Sequence, residues 1–549
     1  MSQKSRTLTR LVLLQIRLFA RKYPALLYVI KWLFISLIIG ISAGTASAGF
    51  LESLSWATRF REGHLWLIAF LPLAGLAVGM LYYYYGKDVE AGNNLLIENI
   101  HEPSRKTIPF KMAPFVYLGT IITHFFGGSA GREGTALQMA GAISDQFTKL
   151  LKLNAQDRKT LLISAIAAGF GSVFGTPLAG ALFGLEIFLV GKIRYTGIFP
   201  AFASAVLADQ VTRLWNVHHT EYHIGFVPEN DFLTIIYSVI AGIAFGICAA
   251  VFSRMMHYGG SFFKSKLAYP PLRPFAGGII VAAAVFTMGT TRYIGLGIPV
   301  IEEAFGKQLP LYDFALKMLF TVVTLSAGFK GGEVTPLFFI GATLGSALSL
   351  FIPLPFGLLA GMGFVAVFAG ATNTPLACTL MGIELFGAEY GVYIAIACIV
   401  AYLFSGNNSI YTKQKIGEAK NSRFGNFINK KFVYSDLNPS DHTYQNFTYK
   451  HILFCEGIGV KKNPFFSDIS VVPNKGHHIK VKLKHALTDD ITIKKKHFLF
   501  PIDEDMYFYG GTYDREQLHD EIDTSAVEQL TNGLREFYFN DFTIEEVNF

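Results

Sequence analysis

The sequence predicts an all-α, multi-pass membrane protein made of two similar halves of tilted and broken helices, followed by a small α+β tail. Three observations predict it. The first 411 residues are apolar and sparsely charged, short motifs of the first half recur about 200 residues later, and the pattern turns polar after Tyr411.

Composition sets the class. Of the 549 residues 51% are hydrophobic and 16% charged, with a mean hydropathy of +0.38, whereas a soluble domain carries about a quarter charged residues. Residues 412–549 hold 18 Lys/Arg and 20 Asp/Glu, leaving 29 and 20 for the first 411 residues, a net +9 there against −2 in the tail. The overall +7 therefore belongs to the membrane part and is no signal for nucleic acid. Long apolar runs include Leu27–Ala48, Trp66–Tyr84, Leu161–Val190, Phe232–Phe252 and Leu376–Phe404, several reaching the roughly 20 residues of a spanning helix. Others, such as Ala113–Phe126, Phe275–Met288, Phe314–Ala327 and Pro336–Ile352, are shorter or interrupted, as expected of half-spanning helices buried in protein. About ten segments are expected to cross or re-enter the bilayer.

The first apolar run is too long and too internal for a cleaved signal peptide. Arg6, Arg10, Arg17, Arg21 and Lys22 precede it without an acid, which predicts a cytoplasmic N-terminus. Cys248, Cys378 and Cys398 fall in apolar helices and Cys455 in the tail. Their spacing suits no metal, and buried small hydrophobes are the expected role of the first three.

The repeat turns composition into function. Gly131-Arg132-Glu133-Gly134-Thr135 is echoed by Gly331-Gly332-Glu333-Val334-Thr335-Pro336, and Thr176-Pro177-Leu178-Ala179 with Glu186 by Thr374-Pro375-Leu376-Ala377 with Glu384. Membrane proteins of two such halves place their substrate where broken helices meet near the midplane. Each glycine-rich break runs into helical sequence, expected over Glu133–Lys149 and Pro336–Leu350. Helix N-termini offer free N–H groups and the positive end of the dipole to an anion, and glycine allows close approach. Glu133 is itself an anion at such an N-terminus. It either occupies the anion site and leaves when protonated, or serves only as a first-turn acid paired with Arg132.

These motifs resemble the CLC chloride channel and transporter family. Gly131–Thr135 is similar to its gating-glutamate motif, with Thr135 where most members have Pro, and Gly175–Phe183 to the helix that follows. Gly331–Pro336 corresponds to the second glycine-rich anion loop, Asn373–Glu384 to the later repeat helix, and Tyr411 to the inner-gate tyrosine. The landmarks run in family order over about residues 25–415. The resemblance implies an inverted-repeat transport domain over 25–411, with halves at about 25–210 and 230–411, after a basic segment at 1–24. It also implies a homodimer with one pore per subunit. The anion-binding set carried over is Asn93, Gly131, Arg132, Gly134, Thr135, Gly332, Val334, Thr335 and Tyr411, with Glu133 as the proton-exchanging carboxylate.

The departures point to a clade. Gly92-Asn93-Asn94 puts Asn93 at the usual serine position, Glu333-Val334-Thr335 replaces a hydrophobe, Phe and Ala, and Ile187 stands where chloride/proton exchangers carry an internal glutamate. Together they resemble the fluoride/proton antiporters. Fluoride is smaller and more strongly hydrated than chloride, and Asn93 and Thr335 add donors where Pro or Ala has none. Asn93 also suits a turn, Thr335 a helix cap, and Tyr411 an interfacial belt. Glu333 faces the cytoplasmic mouth or stabilises its helix N-terminus. Glu186 and Glu384, alike by symmetry, suggest a helix-end or dimer-contact role.

After Tyr411 the expectation is a linker over 412–446 and an α+β tail over 447–549, with strands at His451–Glu456, Ile479–Leu483, His497–Pro501 and Met506–Tyr509 and a helix at Thr524–Glu536. The stretch Phe454–Gly457, Asn463–Phe466 and Phe498–Arg515 is similar to part of FAD-dependent amino-acid-oxidase-like proteins. No Gly-x-Gly-x-x-Gly turn follows a soluble strand, so neither flavin binding, nor any other cofactor or metal, nor enzyme activity is expected.

The leading expectation is an antiporter exporting fluoride against protons in a bacterial plasma membrane, with both termini cytoplasmic. A chloride/proton exchanger or chloride channel of the same fold is the alternative, and a membrane-anchored flavoenzyme the reading from another class.

Overall fold

The structure is a computed structural model. It describes residues 23–420 except 103–105, 194, 230 and 418–419, and beyond them 437–438, 443–444, 447–448, 478–484, 493–494, 497–502, 506–510, 524–536, 538 and 540–548. The chain divides into two units, Met1–Asn429 and Lys430–Phe549.

In the first unit the first half contributes α1 (Pro24–Gly63), α2 (Leu71–Tyr85), α3 (Asn93–His101), α4 (Met112–Phe125), α5 (Glu133–Leu150), α6 (Ala155–Phe174), α7 (Pro177–Glu186) and α8 (Ile198–Leu214). The second contributes α9 (Phe232–Lys266), α10 (Leu272–Met288), α11 (Ile298–Gly306), α12 (Asp313–Ala327), α13 (Val334–Leu348), α14 (Phe356–Thr372), α15 (Pro375–Phe386) and α16 (Gly391–Phe404). The expected ten or so segments are thus sixteen helices among the described residues, because many are too short to span. Among the described residues, Ala25–Gly63, Leu65–Tyr85 and Phe232–Lys266 alone have the length and hydropathy for a full crossing. Leu33, Phe34, Leu37 and Ile41 on α1 stay exposed, as a lipid-facing stripe must.

The innermost pair, α13 and α14, is apolar all round and buried almost throughout, the pattern of a helix with no wet face. They cross at Gly341 and Gly363. A Cβ on Gly341 would lie 2.0 Å from the Gly363 carbonyl oxygen, and one on Gly363 2.1 Å from that of Gly341. With no hydrophobic drive between helices in lipid, such small-residue contacts let backbones pack closely.

The two halves are tied together reciprocally. Glu186, ending α7, accepts the N–H groups of Leu376 (3.2 Å) and Ala377 (2.9 Å) at the start of α15. Glu384 on α15 accepts those of Leu178 (3.0 Å) and Ala179 (2.8 Å) at the start of α7. Each carboxylate satisfies orphan donors and meets the positive dipole end of the other repeat's helix, and Pro177 and Pro375 in the first turns remove one donor each. Of the two roles expected of these glutamates, the structure gives the helix-end one.

The start of the stretch after Tyr411, expected to be linker, is tied into this unit through Gly417, and Lys420 donates to the Tyr402 and Gly406 carbonyls. β1 (Leu189–Val190) and β2 (Lys415–Ile416) pair in parallel, and Gln414 Nε2 donates to the carbonyls of Ile187 and Thr372, each at 2.8 Å. Lys413 and Lys415 reach Glu98 and Glu102, each at 2.8 Å.

In the second unit β3 (Leu437–Asn438), β4 (Thr443–Tyr444) and β5 (Phe447–Thr448) form a small antiparallel sheet. A larger one has the order β10-β6-β9-β8-β7, from β6 (His478–Leu483), β7 (Ile493–Lys494), β8 (Phe498–Pro501), β9 (Met506–Gly510) and β10 (Phe542–Asn548). Ile479, Val481 and Leu483 alternate inward and join Leu530 and Leu534 of α17 (Thr524–Arg535) in one core. Three expected strands and the helix match within two residues. β10 escaped notice because Glu545-Glu546 interrupts its alternation. The strand expected at His451–Glu456, Cys455, and most of the flavoprotein-like stretch lie outside the described residues.

Glu384→Ala and Glu186→Ala each leave two helix-start N–H groups without their carboxylate. Each is expected to lower stability by about 1–3 kcal/mol, read as an earlier thermal transition of the detergent-solubilised protein, with comparable losses for the two.

Candidate anion-exchange site

The site lies where the two glycine-rich breaks meet. Gly131 N–H donates to the Gly332 carbonyl at 2.6 Å and Gly332 N–H to that of Gly131 at 2.8 Å, a single antiparallel bridge between the halves. It brings the N-termini of α5 and α13 together. Glycine is required by space: a Cβ on Gly131 would fall 2.6 Å from Glu133 Oε2, and one on Gly332 2.7 Å from the Gly134 amide nitrogen.

Glu133 opens α5 yet reaches across to the other repeat. Its fully buried carboxylate accepts the Thr335 N–H at 3.1 Å and the Arg132 N–H at 3.1 Å on Oε2, and the Thr335 hydroxyl on Oε1. A negative group thus sits on the free N–H and hydroxyl donors that open α13, where an anion would sit. Arg132 Nε stands 3.9 Å from Oε1, an ion pair at arm's length rather than a tight fork, so the rival reading of Glu133 as merely an Arg132 partner is the weaker description of the geometry.

The other expected residues divide. Val334 begins α13 and is buried. Gly134 packs against Asn93, since a Cβ there would lie 3.0 Å from Asn93 Nδ2. Asn93 is the first residue of α3, after Gly92 at the N-cap. Its Oδ1 is buried and without a partner, as is the Tyr411 hydroxyl; turning the amide would present its N–H₂ there instead. Thr135 turns elsewhere: its hydroxyl lies 2.6 Å from that of Thr120 on α4, tying two helices together, because the first turn of α5 points it away from Glu133.

Two cavities border the glycine breaks. One of about 190 Å³ is lined by Asn93, Gln138, Lys330, Gly331, Glu333 and Tyr411. Arg132, Thr335, His219 and Tyr222 line a second, a constriction of about 20 Å³. Glu333 lines the first cavity and is also the N-cap residue of α13. Ile187 is buried, and the neighbouring Glu186 carboxylate is spent on α15. Gln138 and Lys330 were missed by sequence reasoning. Lys330 stands immediately before the quoted repeat, a cation next to the second glycine pair, and that was signal enough. Among the described residues no His/Cys/Asp/Glu group is arranged to hold a metal.

Two broken-helix halves meeting at paired glycine loops, with a carboxylate on the opposing helix N-terminus, define an anion-transport fold. The family model described as voltage gated chloride channel matches residues 74–406, and the chain belongs to that family. It is 52% identical over 402 residues to the chloride/fluoride channel protein of Pseudomonas syringae pv. tomato, covering 72% of this chain and 89% of that one. To the H(+)/Cl(-) exchange transporter ClcA of Salmonella paratyphi A it is 26% identical over 421 residues, 69% of this chain and 87% of that one. Among solved structures it superposes on a CLC-type fluoride/proton antiporter with a TM-score of 0.69 at 34% identity, covering 71% of this chain and 98% of that one.

Gly131→Ala is expected to displace the Glu133 carboxylate and cut proton-coupled transport at least about tenfold, the cost of one misplaced hydrogen-bonded charge, while the thermal transition shifts little. Coupled flux in reconstituted vesicles checks it.

Proposed function

We propose that this protein is a secondary-active antiporter that exports fluoride in exchange for protons, with Glu133 as the group that carries the proton and yields its place to the anion. One observation carries the reading: the Glu133 carboxylate rests on the Thr335 N–H and hydroxyl and the Arg132 N–H, the donors a fluoride ion would need. Protonation removes the charge that holds the carboxylate there, so the anion takes the donors. Deprotonation returns the carboxylate and expels the anion. One side chain then couples opposite movements of fluoride and H⁺.

Selectivity follows from donor strength. A small, strongly hydrated anion leaves water only for strong donors, and the Thr335 hydroxyl supplies one where a helix amide alone would not. Asn93, with an unpartnered amide atom at the inner cavity, is the second donor, and the Tyr411 hydroxyl the inner end of the path. Gly131, Gly134, Gly332 and Val334 supply close-approaching backbone. Ile187 in place of an acid argues against the internal proton route of chloride/proton exchangers. The similarity to proteins described as a chloride/fluoride channel protein and a CLC-type fluoride/proton antiporter supports the reading. Chloride/proton exchange, or a chloride channel, is the second reading, favoured by the more distant similarity to ClcA.

In this reading the protein sits as a homodimer in a bacterial plasma membrane with both termini in the cytoplasm.

Vesicles containing the purified protein should release fluoride much faster than chloride, with inward proton movement at a fixed ratio. Glu133→Gln should abolish the proton movement. Equal chloride release, or unchanged proton coupling in Glu133→Gln, would contradict the reading. Thr335→Val keeps the volume and removes the hydroxyl; it is expected to lower the fluoride-to-chloride rate ratio by about tenfold or more, as for a hydrogen bond to a charged group.

A further inference from the structure

The transport reading uses Glu133, Thr335, Asn93 and Tyr411 and leaves a buried-stem cation unexplained. Lys330 precedes the second glycine pair and lines two adjoining spaces: the 190 Å³ cavity that holds Asn93 and Tyr411, and an open vestibule of about 740 Å³. The vestibule gathers Lys87, Lys264 and Arg273 with Lys330 against one carboxylate, Glu90. α2 ends and α9 ends at its walls, and Ile410 and Thr412, either side of Tyr411, line it too.

Lys330 is held in place without being neutralised. Its stem lies in a notch that glycine makes: a Cβ on Gly119 of α4 would come within 2.9 Å of Lys330 Cβ and Cγ. Its Nζ sits 3.9 Å from the centroid of the Tyr82 ring, a cation–π contact that orients an ammonium while leaving its N–H groups for another acceptor. Among the described residues it makes no ion pair and donates no hydrogen bond. The contrast is with Lys317, fully buried, which donates to the Tyr293 and Gly295 carbonyls at 3.2 and 2.8 Å. A lysine is costly to bury unless its charge is used, and the two carboxylates on these walls, Glu90 and Glu333, are not bonded to it.

We propose that Lys330 is the anion-docking residue at the boundary of vestibule and inner cavity, where a halide sheds part of its water before reaching Asn93 and Tyr411. Its fixed charge offsets the first part of the dehydration cost. The flexible stem lets the ammonium follow the ion across the boundary, and the absence of a bidentate fork keeps the hold loose enough for release. Lys87, Lys264 and Arg273 raise the local anion concentration outside it. The inference rests on the transport reading but not on which halide is moved.

The test is initial efflux against halide concentration in vesicles, for wild type, K330M and K330R. K330M is expected to raise the half-saturating fluoride concentration about tenfold, as for the loss of one unit charge near the ion in a partly wet site, with maximal rate within about twofold and an unchanged proton-to-fluoride ratio. K330R keeps the charge and adds the fork, so it should hold half-saturation at or below the wild-type value while lowering the maximal rate. Raising ionic strength with an impermeant salt should increase half-saturation in wild type more than in K330M.

K330C guards against a merely structural loss. Attaching an aminoethyl group through a methanethiosulfonate reagent should restore transport at low fluoride, and attaching a sulfonatoethyl group should depress it, relative to wild type given the same reagents. Wild-type half-saturation in K330M, or equal effects of the two reagents, would overturn the docking role. If wild type moves chloride and not fluoride, the fluoride reading fails while the same comparison in chloride still decides Lys330. If wild type moves no halide, both fail.

Discussion

Everything in the membrane unit is arranged around one contact, the Glu133 carboxylate on the N-terminus of α13. A carboxylate buried at zero exposure is tolerable only where donors replace its water. Here the donors belong to the other repeat, so the charge of one half is stabilised by the helix start of the other. The contact ties the two halves together, and in the proposed mechanism it is also the contact an anion displaces.

The glycine bridge and the reciprocal glutamate caps supply the rigidity this exchange needs. Gly131 and Gly332 fix the two loops against each other through backbone alone, leaving side-chain space free for the carboxylate. Glu186 and Glu384 use the same chemistry at α7 and α15, but there each carboxylate meets two backbone N–H groups, whereas Glu133 also accepts a side-chain hydroxyl, that of Thr335.

Much of this was legible in the sequence. The apolar runs gave the membrane class, and the offset motifs gave the two halves, because an internal repeat must place equivalent residues symmetrically. Glu133, Thr335, Asn93 and Tyr411 were found from motif position, and the structure places each at the breaks or on the inner cavity. Three things were not legible. Short half-helices such as α7 and α15 hide inside longer apolar runs, so the helix count was low. Thr135 was expected among the ligands on its place in the motif, but its direction depends on the phase of α5, which motif order does not encode. The docking of residues 413–417 rests on scattered partners, Glu98, Glu102 and the Ile187 and Thr372 carbonyls, and no local pattern announces them.

The central claim is that the Glu133 carboxylate and the transported anion compete for the same donors. The direct measurement is fluoride affinity of the purified protein by calorimetry as a function of pH, for wild type and Glu133→Gln. Competition predicts that wild-type affinity weakens as rising pH ionises Glu133, while the Glu133→Gln protein, which carries no charge there, binds with little pH dependence. The same pH dependence in both proteins, or none in wild type, would contradict it.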